Sequence, residues 1–265
     1  KLDLSNIAEL QDDADEKRLL ENLESVIIAY RNMDPKDAEL MQRCLDTIIS
    51  GQRLDLVRFG ALGSDLTCLE NDIQLDDYAY RVAGSVGEFW TAITLENELS
   101  GDVPDTETFD SLGICFGKAL QMTNILRDIP ADLALGRCYI PKDRLAEIGL
   151  KHEDLYNPDS IDVFRPLYDS YLDLTCEHYD SAISYISMIP RKYRSLRMAC
   201  MLPVVIGLET IALLRKGNVL DASERIKVNR TRIRKIAISC VISTRFKIIE
   251  NRILRVAANR AINGI

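Results

Sequence analysis

The chain predicts an all-α fold, and three observations carry that reading. Apolar residues recur at helical spacing almost throughout, no stretch alternates as a half-buried strand would, and the breaks fall at prolines and glycines. About eight helices in one domain over residues 1–265 account for the pattern, since no linker, repeat or low-complexity tract divides it.

The elements follow in order. Asp15-Glu16-Lys17-Arg18-Leu19-Leu20 opens an amphipathic helix running to about Arg31, and the acids of its first turn suit the helix dipole. Asp34-Pro35 is a cap and first-turn pair for a second helix through Leu45, Ile48 and Ile49. A third covers roughly Leu69 to Leu99 and stops near Ser100-Gly101. After a loop over 102–106, a fourth starts at about Glu107. Gly136 to Pro141 reads as an extended connector, and Pro141-Lys142-Asp143 begins a short helix that ends at Gly149. Asn157-Pro158-Asp159 starts a long helix to about Met188, which Ile189-Pro190 breaks. The run from Met201 to Leu214 contains Pro203 and Glu209, so it reads as a core helix and not a membrane span. One helix, or two, follows from about Ala222.

Charge is unevenly spread. The net charge is −8, yet residues 225–260 hold 11 Lys/Arg against the single acid Glu250, leaving +10 there and −18 elsewhere. An acidic bulk without a basic, aromatic-interleaved face excludes a nucleic-acid binder. The seven cysteines include no CxxC pair, which fits free thiols in the cytoplasm. Only His152 and His178 are present, both expected at the surface, so a histidine metal site is not expected.

The chemistry concentrates in Gln121-Met-Thr-Asn-Ile-Leu-Arg-Asp-Ile-Pro-Ala-Asp132. Gln121, Asn124 and Asp128 share one helical side, and Asp132 extends the row by a turn. An all-oxygen row inside an apolar run suits a hard cation, Mg²⁺ before Zn²⁺; a polar stripe at a solvated helix end is the alternative. Pro130 lies between the two aspartates and removes a helical N–H, so a kink is expected there. The third helix carries Val82-Ala83-Gly84 and Val86-Gly87. Interior glycines cost about 1 kcal/mol each relative to alanine, so they imply close helix packing or room for a bulky apolar chain.

Taken together, Tyr78-x-Tyr-x-Val-Ala-Gly-x-Val-Gly87, Gln121-x-x-Asn-x-x-x-Asp-x-x-x-Asp132 and Gly136-Arg137-x-Tyr139-x-Pro141 resemble the squalene/phytoene synthase family, on the side of its bacterial squalene synthase branch. Gly51-x-x-x-Asp55-Leu56, Leu202-Pro203 and Ile226-Lys227-x-x-Arg230 extend the resemblance to about residue 235. It implies an isoprenoid synthase helical bundle around a central apolar cavity. The implied reaction joins two farnesyl diphosphates head to head with Mg²⁺, through presqualene diphosphate to squalene, and uses NADPH when squalene is the product. Phytoene or dehydrosqualene synthesis is the alternative. The resemblance assigns Asn124, Asp128 and Asp132 to metal, Arg127 and Arg137 to diphosphate oxygens, and Tyr78 to the reacting carbons. Gln121, Val82, Ala83, Gly84 and Met122 would line the substrate site.

One motif departs from the family. Its first Asp-x-x-x-Asp is matched by Ser5-Asn-Ile-Ala-Glu9, with Glu9 as the remaining metal ligand, Ser5 at the first aspartate and Leu2 where a basic residue is usual. The family's N-terminal helices are also not matched. A farnesyl diphosphate phosphatase, or a relative that only binds, therefore stays open. Asp12, Asp13 and Asp15 read as a solvated cap, and Asp72, Asp76 and Asp77 as a solvated rim. The basic helical tail over 236–265 is expected to pack on the core, the alternative being a peripheral membrane contact.

Overall fold

The computed structural model describes residues 5–60, 66–223 and 225–264. By internal packing the chain forms two compact units, residues 1–45 and 46–265. The first holds α1 (Ser5–Glu9), α2 (Ala14–Glu21) and α3 (Leu23–Arg31). Asp13 caps α2, its carboxylate accepting from the amides of Asp15 at 2.8 Å and Glu16 at 3.0 Å, which is the expected role of that acidic cluster. The next helix, α4 (Pro35–Phe59), begins at the expected Asp34-Pro35 pair and runs on into the second unit.

In the second unit β1 (Thr67–Cys68) is followed by α5 (Asp72–Ala79), a π turn over Tyr80–Gly84 and α6 (Ser85–Asn97). Then come α7 (Thr106–Arg127), α8 (Ile129–Ala134), β2 (Arg137–Cys138), α9 (Lys142–Glu147), α10 (Ile161–Met188), α11 (Arg194–Lys216), α12 (Arg230–Ser243) and α13 (Lys247–Asn263). Three details differ from expectation. The helix expected from Asp15 to about Arg31 is broken at Asn22 into α2 and α3. The extended connector at Gly136 pairs in parallel with residues 67–68, matching Thr67 to Arg137 and Cys68 to Cys138. Two-residue strands are too short for alternation to show in a sequence. The third helix is interrupted midway by the π turn, an i→i+5 bulge that a 3.6-residue period does not reveal.

At the centre stands α7, packed against α6, α10 and α11. Its contact with α6 is backbone on backbone. A Cβ at Gly87 would sit 1.9 Å from the Gly113 carbonyl oxygen, and one at Gly117 would sit 2.0 Å from that of Ala83. The glycines thus buy close packing, one of the two readings of this stretch. On the other side, α10 inserts the fully buried Tyr168, Tyr179 and Tyr185. Each phenol finds a partner: the Leu126 carbonyl at 3.0 Å, Thr123 Oγ1 at 2.9 Å and Thr91 Oγ1 at 3.2 Å, respectively.

The break expected at Pro130 falls two residues earlier. Asp128 leaves helical geometry at φ −99°, ψ 15°, and Pro130 then sits in the first turn of α8, where its missing N–H costs nothing. Were the helix continuous, the proline ring would meet the Leu126 carbonyl, which bonds Tyr168 instead.

By length and composition α11 alone among the described helices is apolar enough to cross a membrane. Here it is an interior helix, with Met201, Val204, Leu208, Ile211 and Leu214 buried. Buried Arg197 ties it to α13 by pairing with buried Glu250, and it also donates to the Ile186 carbonyl at 2.5 Å. The tail packs on the core as expected, with Leu254, Ala257 and Ala261 buried.

Gly87→Ala should cost about 1–3 kcal/mol, because two helices must separate to admit one methyl. Ile73→Ala, on a 79% exposed side chain, should stay within about 0.5 kcal/mol. Denaturant midpoints of the two variants check the contrast.

Candidate active site

A cavity of about 420 Å³ opens between α6, α7, α10 and α11. Its walls are apolar, with Val82, Ala83, Phe116, Leu120, Trp90 and Pro203 among them. Gly87, Gly113 and Gly117 also line it. Gly87 of the glycine stretch both packs against α7 and lines the cavity, whereas Gly84 only packs. At one end Gln121 and Asn124 put amides into the lining.

Beyond Asn124 the row reaches Asp128, which faces a separate hollow with Arg127, Pro130, Val219 and Arg225. Arg127 Nε donates to Asp128 Oδ1 at 3.0 Å, and Arg225 holds the same oxygen at 2.7 and 3.1 Å. Burial pushes the Asp128 carboxyl up, but the two guanidiniums outweigh it and hold it below the usual range. Asp132 lies further in, beside Arg137 and Tyr139. Its carboxyl is pushed up to about 7, by burial first and by the charge of Asp128 next, against the attraction of Arg137.

Behind Asp132 runs a buried chain of three groups. Tyr78 donates to Tyr139 at 3.2 Å, and Tyr139 donates to Asp55 Oδ2 at 3.1 Å. The two rings stack with centroids 4.6 Å apart. Burial pushes the Tyr78 phenol up to about 12 and raises the Asp55 carboxyl, whose Oδ1 has no hydrogen-bond partner. With its proton committed to Tyr139, Tyr78 has its oxygen lone pairs free to accept.

Of the expected lining, Val82, Ala83 and Gln121 reach the cavity, while Gly84 and Met122 do not line it. Gly84 is buried against Tyr80 and Ile114, and Met122 faces the core at 3% exposure. Glu9 is exposed on α1, in the first unit; the Ser5 side chain and Leu2 lie outside the described residues. The acidic rim is paired instead of merely solvated: Asp76 takes Lys118 at 2.7 Å, Asp77 takes Arg81 at 2.8 Å, and Asp72 accepts from Tyr171 at 2.6 Å. Neither histidine is fully at the surface; both are half-buried on or beside packed helices. Arg225 went unread in the sequence, because nothing local marks a loop arginine that reaches a carboxylate 97 residues away.

Three oxygen-donor side chains in a row, Asn124, Asp128 and Asp132, fit Mg²⁺ by donor type. Among the described residues no three His, Cys, Asp or Glu side chains cluster as a metal site, so the set relies on the Asn124 amide and on ligands from outside the protein. The raised Asp132 carboxyl agrees with that fit, since a nearby cation would offset both the burial that chiefly raises it and the charge of Asp128.

Residues 2–232 match the family model described as squalene/phytoene synthase. The chain is 26% identical to the squalene synthase of Mus musculus over 201 residues, covering 74% of this chain and 44% of that one. It is 32% identical to the 15-cis-phytoene synthase of Synechocystis over 151 residues, 56% of this chain and 42% of the relative. The chain thus spans less than half the length of these relatives. TcSQS, solved in complex with the ligand E5700, shares the fold at a TM-score of 0.72 and 17% identity, over 94% of this chain and 74% of that one.

The only tryptophan, Trp90, lines the cavity at 39% exposure, so its emission reports what enters. A linear apolar ligand should shift that emission to the blue. Val86→Phe, which narrows the lining, should weaken the response by about tenfold, or about 1.4 kcal/mol. Fluorescence titration of both proteins with a long-chain alkyl probe is the check.

Proposed function

The chain belongs to the squalene/phytoene synthase family of head-to-head prenyltransferases, and from that premise we propose that it is a squalene synthase-like transferase. Two farnesyl diphosphates would condense through presqualene diphosphate to squalene. The observation that carries this reading is an apolar cavity that ends in the Gln121 and Asn124 amides, one helical turn before a carboxylate flanked by arginines in the next hollow. A prenyl diphosphate has that same division between an apolar chain and a concentrated negative charge.

The protein's own part is binding, shielding and proton placement. Arg127 and Arg137 offer planar guanidiniums to diphosphate oxygens, and Arg225 joins them by exchanging the Asp128 carboxylate for phosphate. Mg²⁺, held by Asn124, Asp128 and Asp132, would neutralise the departing diphosphate. Phe116, Trp90 and Tyr185 face the cavity, where aromatic faces stabilise an allylic cation and the apolar walls keep water from it. Tyr78 would accept or orient a proton near the reacting carbons, its own hydrogen being held by Tyr139. NADPH would supply hydride if squalene is the product. We place the reaction in the cytoplasm, with the basic C-terminal helices in peripheral contact with the membrane that receives the hydrocarbon.

Two other readings have particular support. Similarity to a 15-cis-phytoene synthase at 32% identity favours a phytoene or dehydrosqualene product made without reduction. Ser5 in the first motif favours a farnesyl diphosphate phosphatase or a relative that only binds.

Incubation with farnesyl diphosphate and Mg²⁺, with and without NADPH, separates them by product. Squalene appearing only with NADPH is expected, and Asp128→Asn should lower turnover about a hundredfold or more. Dehydrosqualene regardless of NADPH moves the assignment to the alternative transferase. Farnesol alone indicates the phosphatase, and no turnover at all indicates the binding relative.

A further inference from the structure

The C-terminal helices carry a surface that the cavity chemistry does not use. Outward on α12 and the corner that follows it, Ile238 is 61% exposed, Ile242 51%, Phe246 56% and Ile248 84%. Arg245 and Lys247 stand beside them, exposed and without a partner among the described residues. Exposed single apolar side chains are ordinary, but four within eleven positions, with two exposed cations between them in sequence, call for an explanation.

Between the same helices, α11, α12 and α13 enclose a groove of about 330 Å³. Val205, Ile236, Ile253 and Ala257 supply apolar lining. Glu209 on its wall is already engaged, by Arg232 at 2.5 Å and Arg260 at 2.9 Å. Lys235 and Arg252, also in the lining, are exposed and make no ion pair or hydrogen bond among the described residues. The one acid of residues 225–260, Glu250, is 1% exposed and spent on Arg197 and Arg191, so it does not offset the surface charge.

We propose that the α12–α13 corner, with the groove between these helices, is a binding surface for an anionic phospholipid bilayer. Ile242, Phe246 and Ile248 enter the interfacial region while Lys235 and Arg252 meet headgroup phosphates. Charge complementarity decides the occupant. A chain of net −8 is repelled by an anionic surface as a whole, but residues 225–260 hold 11 cations against one acid, and after Asp128 and Glu209 engage Arg225, Arg232 and Arg260 this end is still positive and is drawn to it. Aliphatic side chains beside cations suit the bilayer interface, whereas nucleic acid calls for stacking aromatics. This specifies the membrane contact of the proposed function without resting on its chemistry. The assay reads lipid and not turnover, so either claim can fail alone.

The test is co-sedimentation of the full chain with phosphatidylcholine vesicles, with and without a quarter phosphatidylglycerol. Binding to the anionic vesicles alone is expected, lowered by salt. Lys235→Glu with Arg252→Glu should weaken it by about tenfold or more. Phe246→Ser with Ile248→Asn, at exposed sites that spare the core, should weaken it while leaving the salt dependence in place. Circular dichroism confirms that each variant stays folded. Equal binding to both vesicle types overturns the proposal, as does release by millimolar inorganic phosphate, which would mark a soluble-anion site. Self-association that the charge variant abolishes, with no vesicle binding, also overturns it and assigns the face to a second copy.

Discussion

The constraint on which the rest depends is the backbone contact between α6 and α7. With no Cβ at Gly87, Gly113 and Gly117, carbonyls of one helix lie against the backbone of the other. That closeness fixes α7 at the centre, where α10 locks it with three buried tyrosines whose hydroxyls all find partners. It also thins the wall of the cavity, so packing and pocket are one arrangement. A larger residue at these positions would lose helix contact and apolar volume at once.

From that fixed helix the polar groups fan out to different depths. Gln121 and Asn124 end the apolar cavity, Asp128 turns outward where the helix breaks, and Asp132 is carried inward on α8 toward Arg137. The break makes this possible. On an unbroken helix the row would stay on one face, but the turn at Asp128 puts its carboxylate between two arginines and Asp132 beside the Tyr78–Tyr139–Asp55 chain. Amides, a paired carboxylate and a buried carboxylate beside a phenol chain are thus carried by neighbouring turns into three adjoining hollows.

Much of this was legible in the sequence, and the rest was hidden for physical reasons. The row from Gln121 to Asp132 showed as helical spacing, the kink as Pro130, and the thin wall as glycines where a helix prefers larger residues. Periodicity does not say which helices face each other, so Gly113 and Gly117 on α7 carried no signal of their own. Nor does it mark the π turn, whose residues look helical, or the pairing of Thr67 with Arg137 across 70 positions. Arg225 and the Asp55 chain are long-range contacts, which only folding brings together. The Arg197–Glu250 pair was equally silent, since in the sequence Glu250 was simply the odd acid in a basic tail.

The central claim is that the oxygen row and its arginines form a cation-dependent diphosphate site at the end of the cavity. The direct measurement is calorimetric titration with a non-ionisable farnesyl thiolodiphosphate, with and without Mg²⁺, on the unmodified chain and on Asp132→Asn. The account predicts binding that Mg²⁺ strengthens by about tenfold or more, or about 1.4 kcal/mol, with that gain lost in the variant. Binding equally tight without Mg²⁺, and unchanged by Asp132→Asn, would contradict it.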